Sequence, residues 1–168
     1  MRNTGAADVA AADEVEQESL KDEIANLIEE ARMVLPGIQA LFGFQLIAVF
    51  NDGFRDLEPA WQYTHLAAIS LVTAAIALIM TPAAYHRIAE RAVVSRRFSK
   101  LGSTLIAVAM IPFAVGMSLD LMLITHVVTD SRPAATVALV VALGAFVTAW
   151  FVIPLRARRE HRRSSKRT

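Results

Sequence analysis

Residues 101–128 read LGSTLIAVAMIPFAVGMSLDLMLITHVV, 28 positions without a Lys, Arg or Glu and with a single acid, Asp120. A helix crosses the hydrocarbon layer in about 20 residues, so this stretch predicts a transmembrane helix that overshoots it. Three further apolar runs accompany it: 33–50 (MVLPGIQALFGFQLIAVF), 66–84 (LAAISLVTAAIALIMTPAA) and 134–155 (AATVALVVALGAFVTAWFVIPL). The expected fold is all-α, an antiparallel four-helix transmembrane bundle over 33–155 preceded by a cytoplasmic amphipathic helix over 19–32.

Composition agrees with that reading. Of the 168 residues 55% are hydrophobic, and they stand in blocks rather than at the helical or strand periodicity of a soluble core. The chain has no cysteine, which excludes disulfides, thiolate metal sites and cysteine nucleophiles. Residues 1–32 hold no apolar core or cleavage signature, so the first span is expected to be its own insertion signal.

The acid- and alanine-rich residues 1–18 predict disorder. Ser19 then offers an N-cap, with Asp22 and Glu23 in the first turn, where carboxylates suit the helix dipole. Leu20, Ile24, Leu27, Ile28 and Ala31 recur at spacings of three and four, one helical face. The opposite face carries Glu29 and Glu30 rather than the Lys and Arg of a membrane-surface helix, which points to packing on protein. Residues 156–168 form a basic cytoplasmic tail.

Charge sets the expected orientation. Fifteen of the seventeen Lys and Arg residues fall before the first span, between the second and third, or after the fourth. Only Arg55 and Arg132 fall in the other two connections. Both termini and the connection 85–100 are therefore expected in the cytoplasm of a bacterial inner-membrane protein. The basic connection and tail are expected to meet anionic lipid headgroups, at about 1 kcal/mol per residue near the surface. The acidic arm, on the same side, is a second candidate to pair with them. Nucleic acid is not an expected partner.

Asp120 is the sharpest candidate for chemistry. An aspartate near the bilayer centre costs about 2.5–3.5 kcal/mol and usually faces a bundle interior or water, where it can exchange a proton. Gln45, Ser70 and Thr73 fall at similar depth and are its expected partners, in a proton or ion site or in a helix-bridging hydrogen bond. Pro112 removes the bond to the Val108 carbonyl and predicts a kink. His65 and His126 are expected at the outer face, and with His86 and His161 they fall in four different segments, a poor basis for a metal site. No catalytic, phosphate-loop or cofactor motif is present, so neither an enzyme nor a cofactor is expected.

Glu30-Ala-Arg32 leads into Gly37-Ile-Gln39 and Phe42-Gly-Phe44, Thr81-Pro-Ala-Ala-Tyr85-His86-Arg87 closes the second span, and Trp150-Phe-Val-Ile-Pro154-Leu155 closes the fourth. This pattern, over residues 20–157, resembles an uncharacterised bacterial family, a domain of unknown function, of small four-helix membrane proteins with an acidic N-terminal helix. Leu35-Pro36 stands where the family more often has polar residues. The resemblance implies an inner-membrane location and four spans, and it directs attention to Tyr85, His86 and Arg87. Arg87 near a helix C-terminus complements the dipole, His86 is in register with Glu90 at i+4, and Tyr85 suits an interface. These four form a candidate cytoplasmic-interface motif, structural or partner-binding.

Two functional classes follow. One is an accessory or scaffold protein acting through membrane partners or as a homo-oligomer. The other is proton or small-cation transport by an oligomer, with Asp120 as the titrating group.

Overall fold

The computed structural model describes residues 4–89 and 96–164. They are almost entirely helical, without a strand among them. In chain order the elements are α1 (Thr4–Val49), α2 (Asp52–Arg55), α3 (Pro59–Ala89), α4 (Arg96–Thr129), α5 (Arg132–Val147), a π-helical turn (Thr148–Val152) and α6 (Ile153–Ser164). Four stretches are long and apolar enough to cross a membrane: Arg32–Val49, Pro59–Tyr85, Lys100–Thr129 and Arg132–Arg159. The protein is a membrane protein of transmembrane helices.

Two expectations need correction, the disordered arm and the start of the second span. The backbone is helical from Thr4, where disorder was expected, so Ser19 lies inside α1 and caps nothing. The reason is composition: Ala, Glu and Gln dominate residues 6–18, and these are strong helix formers whatever their charge. Pro36, Pro82 and Pro112 interrupt none of α1, α3 and α4. Membrane helices carry such prolines where neighbours satisfy the freed carbonyl. The second span begins at Pro59, seven positions before the expected 66, because Gln62, Tyr63 and Thr64 dilute the apolar run without breaking the helix.

The chain forms two compact units. Unit 1 is Met1–Gln39 with Ile76–Val108, and its described buried positions are Ile38, Ile79, Pro82 and Gly102. Unit 2 is Ala40–Ala75 with Ala109–Thr168. In unit 2 the buried positions of α3 are Trp61, His65, Ala68, Val72 and Ala75, an alternation of four and three that makes a coiled-coil-like seam. The matching positions of α4 are Ala109, Ala114, Gly116, Ser118, Asp120 and Leu123. Small side chains let the two backbones close. A Cβ on Gly116 would lie 3.0 Å from the Ala68 carbonyl oxygen and 3.1 Å from Val72 Cγ2. Such a contact replaces a hydrophobic driving force, which lipid does not supply between helices, with close packing.

The turns of unit 2 are short and chemically specified. Asn51 caps α2 by accepting from the Gly53 amide at 3.1 Å. Gln62 ties the following connection to α3, its amide nitrogen 3.1 Å from the Leu57 carbonyl and 3.3 Å from those of Phe54 and Arg55. Asp130 takes a left-handed φ of 48°, which aspartate tolerates better than most residues, and Ser131 caps α5. At the far end of α5, Pro154 has no amide to give the Trp150 carbonyl. The chain widens instead to a π turn, with the Ile153 amide bonding to Thr148. That turn aims Trp150 at Phe146 and Phe113, with ring centroids 4.7 Å and 6.1 Å away.

Gly116→Val is expected to cost about 1–3 kcal/mol by overpacking against a backbone carbonyl that has little room to move. Gly144→Ala meets nothing within 4 Å and is expected to be neutral or stabilising by up to about 1 kcal/mol. Thermal unfolding of the two purified variants in detergent compares them directly.

Candidate functional site

The centre of unit 2 is polar. Gln45 of α1, His65 of α3 and Asp120 of α4 are 4%, 4% and 8% exposed, so three helices converge on groups cut off from the surface. Gln45 lies close to the end of its span, His65 close to the start of the next, and Asp120 about 14 Å before the end of α4. Each reaches the others because the α1–α3 connection is short.

The contacts are specific. The Gln45 side-chain amide donates to Asp120 Oδ2. His65 Nε2 lies 2.9 Å from the backbone carbonyl oxygen of Gln45. A carbonyl only accepts, so Nε2 carries the hydrogen and donates. That assignment decides the other side of the ring. Nδ1 of a neutral His65 is then a lone pair, and it faces Asp120 Oδ1 at 3.3 Å. The contact has ion-pair distance without hydrogen-bond alignment, and neither atom has another partner. Two bare acceptors at this separation, away from water, repel each other. One proton between them, on the carboxyl or on the ring, turns the repulsion into attraction. The Gln45 amide oxygen is also buried and unpartnered.

Phe54, delivered by α2, covers the open edge of the imidazole, edge-on with centroids 5.3 Å apart. Phe54 also lines a cavity of about 270 Å³ with Ala48, Leu57, Leu123 and Val127. Its walls are largely apolar. Further along, Trp61 stacks on His126, centroids 3.9 Å apart at 16°, and Trp61, Leu123 and Ala135 form a small apolar cluster. His126 Nδ1 is buried and without a partner. At the rim, Arg132 meets Glu58 at 2.6 Å, with both side chains largely exposed.

Of the residues singled out in the sequence, the structure brings Gln45 to Asp120. It does not bring Ser70 or Thr73. Their hydroxyls donate to the carbonyls of Leu66 and Ile69 on the same helix, and both residues are exposed. Depth alone placed them with Asp120; the direction in which a helix turns its side chains removes them. His65 was missed as a site residue, being assigned to an outer connection. The signal was present, since position 65 continues the seam of 61, 68, 72 and 75. Tyr85 and Arg87 are exposed near the end of α3. Glu90 and the His86 side chain lie outside the described residues. No group of three or more His, Cys, Asp or Glu that could hold a metal occurs among the described residues.

The model of a family of unknown function, DUF6328, matches residues 13–154. The chain belongs to DUF6328. The DUF6328 match takes in Gln45, His65, Asp120 and His126 together with the string 81–87, and it ends before the arginines of α6. No curated protein and no solved structure matches the chain.

Breaking one side of a buried pair leaves the other uncompensated, whereas replacing both does not. His65→Leu and Asp120→Leu are each expected to lower stability by about 3–5 kcal/mol, and the double variant by clearly less than the sum. Unfolding of the four proteins in detergent forms the cycle, and simple additivity would show that the two side chains do not interact.

Proposed function

We propose that this protein binds and passes a proton within the membrane, with the Asp120–His65 pair as the working site and Gln45 as the group that orients both. The observation that carries the reading is the His65 tautomer. With Nε2–H committed to the Gln45 carbonyl, Nδ1 and Asp120 Oδ1 face each other and call for one shared proton. Release of that proton leaves two buried acceptors in contact, a costly state that favours rapid reloading. Such a site holds one proton at a time, and an ionisable pair inside a span is by default a pathway element.

A route from one side to the other needs more than a single protomer's helices. Within an 18-residue apolar stretch of the fourth span only 6% of residues are buried within the chain, and in the first span only 11%, which leaves broad faces for lipid, a second copy or another membrane protein. The same faces favour the second reading, an accessory or scaffold role through a membrane partner. Mild cross-linking in native membrane followed by mass spectrometry separates the two. A stoichiometric foreign partner supports the scaffold, and a homo-oligomer supports transport.

The orientation in this reading follows the charge bias, with both termini in the cytoplasm of a bacterial inner membrane. Arg156, Arg158 and Arg159, exposed on α6, then meet anionic headgroups. The chain has no cysteine, so single introduced thiols report unambiguously. Asp56→Cys is expected to react with an impermeant maleimide on intact cells, and Ser164→Cys only after permeabilisation.

The direct test is a pH gradient imposed on proteoliposomes. The native protein is expected to dissipate it, and Asp120→Asn, which keeps the shape and neither binds nor releases a proton, to abolish the effect. Equal dissipation by the two proteins would sink the proposal.

A further inference from the structure

We infer that Phe54 is the gate of the Asp120–His65 pair. Its ring swings off the imidazole into the cavity beside it, and the pair then exchanges a proton with the water on the α2 side. The inference rests on the proton-passing role proposed above and names the residue that controls access to the same site.

Phe54 meets His65 directly, edge-on with ring centroids 5.3 Å apart, and the same side chain lines the cavity of about 270 Å³. That cavity is open to the surface, since Ala48, Asn51, Gly53, Ile124 and Val127 on its walls are all exposed. A single half-buried ring thus touches the imidazole on one side and a space that reaches the surface on the other. Water is near at this end of the site. α2 lies between the first and second spans, and Asp52, Arg55, Asp56 and Glu58 around Phe54 are exposed. His65 sits only about 9 Å inside the second span, and Gln45 about 6 Å from the end of the first.

The ring has a place to go. A cavity of about 150 Å³ admits benzene, so the larger space beside Phe54 has room for a phenyl ring. The backbone stays where it is. The Phe54 amide donates to the Asn51 carbonyl at 3.0 Å, and the Gln62 side chain donates to the Phe54 carbonyl at 3.3 Å. Opening is therefore a side-chain rotation between staggered wells and leaves α2 folded. With the ring on His65, an apolar closure excludes water and the pair keeps its proton. With the ring in the cavity, a hydronium gives its proton to the emptied pair, or the loaded pair gives its proton to water. No other covalent bond changes.

Exchange of the His65 Nε2 hydrogen with deuterated water tests the gate by NMR, on the full chain in lipid bilayers with isotope-labelled histidine. The signal is identified by its loss in His65→Leu. Phe54→Ala removes the gate, and this exchange is expected to quicken by on the order of tenfold or more, while the backbone amides of Ser118 and Asp120 keep their native rates. Val127→Trp fills the cavity from an exposed wall position and denies the ring its open place. Exchange in that variant is expected to slow by on the order of tenfold. A native rate at His65 in either variant would overturn the gate. Faster exchange at the Ser118 and Asp120 amides in Phe54→Ala would also overturn it, by making Phe54 a packing residue whose loss loosens the helices. Should Phe54→Ala fail to fold, Val127→Trp, which removes no contact of the pair, decides alone. A native protein that dissipates no pH gradient would instead overturn the underlying proposal, an outcome the exchange rates do not depend on.

Discussion

The interaction on which the centre of this protein depends is a backbone one. The Gln45 carbonyl takes the Nε2 hydrogen of His65, and a carbonyl has no other way to meet a ring nitrogen at 2.9 Å. In water the imidazole would exchange tautomers freely. In a site where each partner is less than a tenth exposed, the choice is made once and its consequence is passed across the ring to Asp120. Gln45 serves twice, its main chain fixing the ring and its side chain holding the far oxygen of the carboxyl. An ionisable group that would be expensive in hydrocarbon is thereby given an amide donor on one oxygen and a facing imidazole on the other.

The helices make that convergence affordable through small residues. Gly116 brings α4 against the Ala68 carbonyl of α3, and Asp120 follows one turn later on the same face. A bulky residue at 116 would hold the two backbones apart at the level of the pair. The short α2 segment has a parallel duty. Its Asn51 cap and the three Gln62 contacts hold a tight connection that lays Phe54 over His65. Packing and chemistry are thus set by the same few turns.

Membership of DUF6328 and four membrane-capable helices describe what kind of molecule this is. Its function has to come from the site, since a helical membrane scaffold is compatible with many roles. The site differs from the plain helix-bridging hydrogen bond common in membrane proteins in one respect. Gln45 to Asp120 alone would be such a bridge, but the imidazole adds a second titratable group facing the first with no other partner. The scaffold reading retains a physical basis in the thinly buried first and fourth spans.

The amino-acid sequence by itself determined the class of protein. Long uncharged runs must form helices in hydrocarbon, because every backbone group there needs an internal partner, and that constraint acts locally. It also marked Asp120, since a lone acid in 28 apolar-rich positions stands out without any knowledge of neighbours. Composition misjudged residues 4–18, where helix propensity outweighed charge. Only tertiary structure decided which polar residues share a site. Ser70 and Thr73 matched Asp120 in depth yet turn to their own backbone, whereas His65, in a stretch diluted by Gln62, Tyr63 and Thr64, lies on the buried seam. Depth is a property of position along one helix. Facing depends on how each helix is rotated against the next, and that rotation is set by Gly116, Ala68 and Val72 packing across the chain.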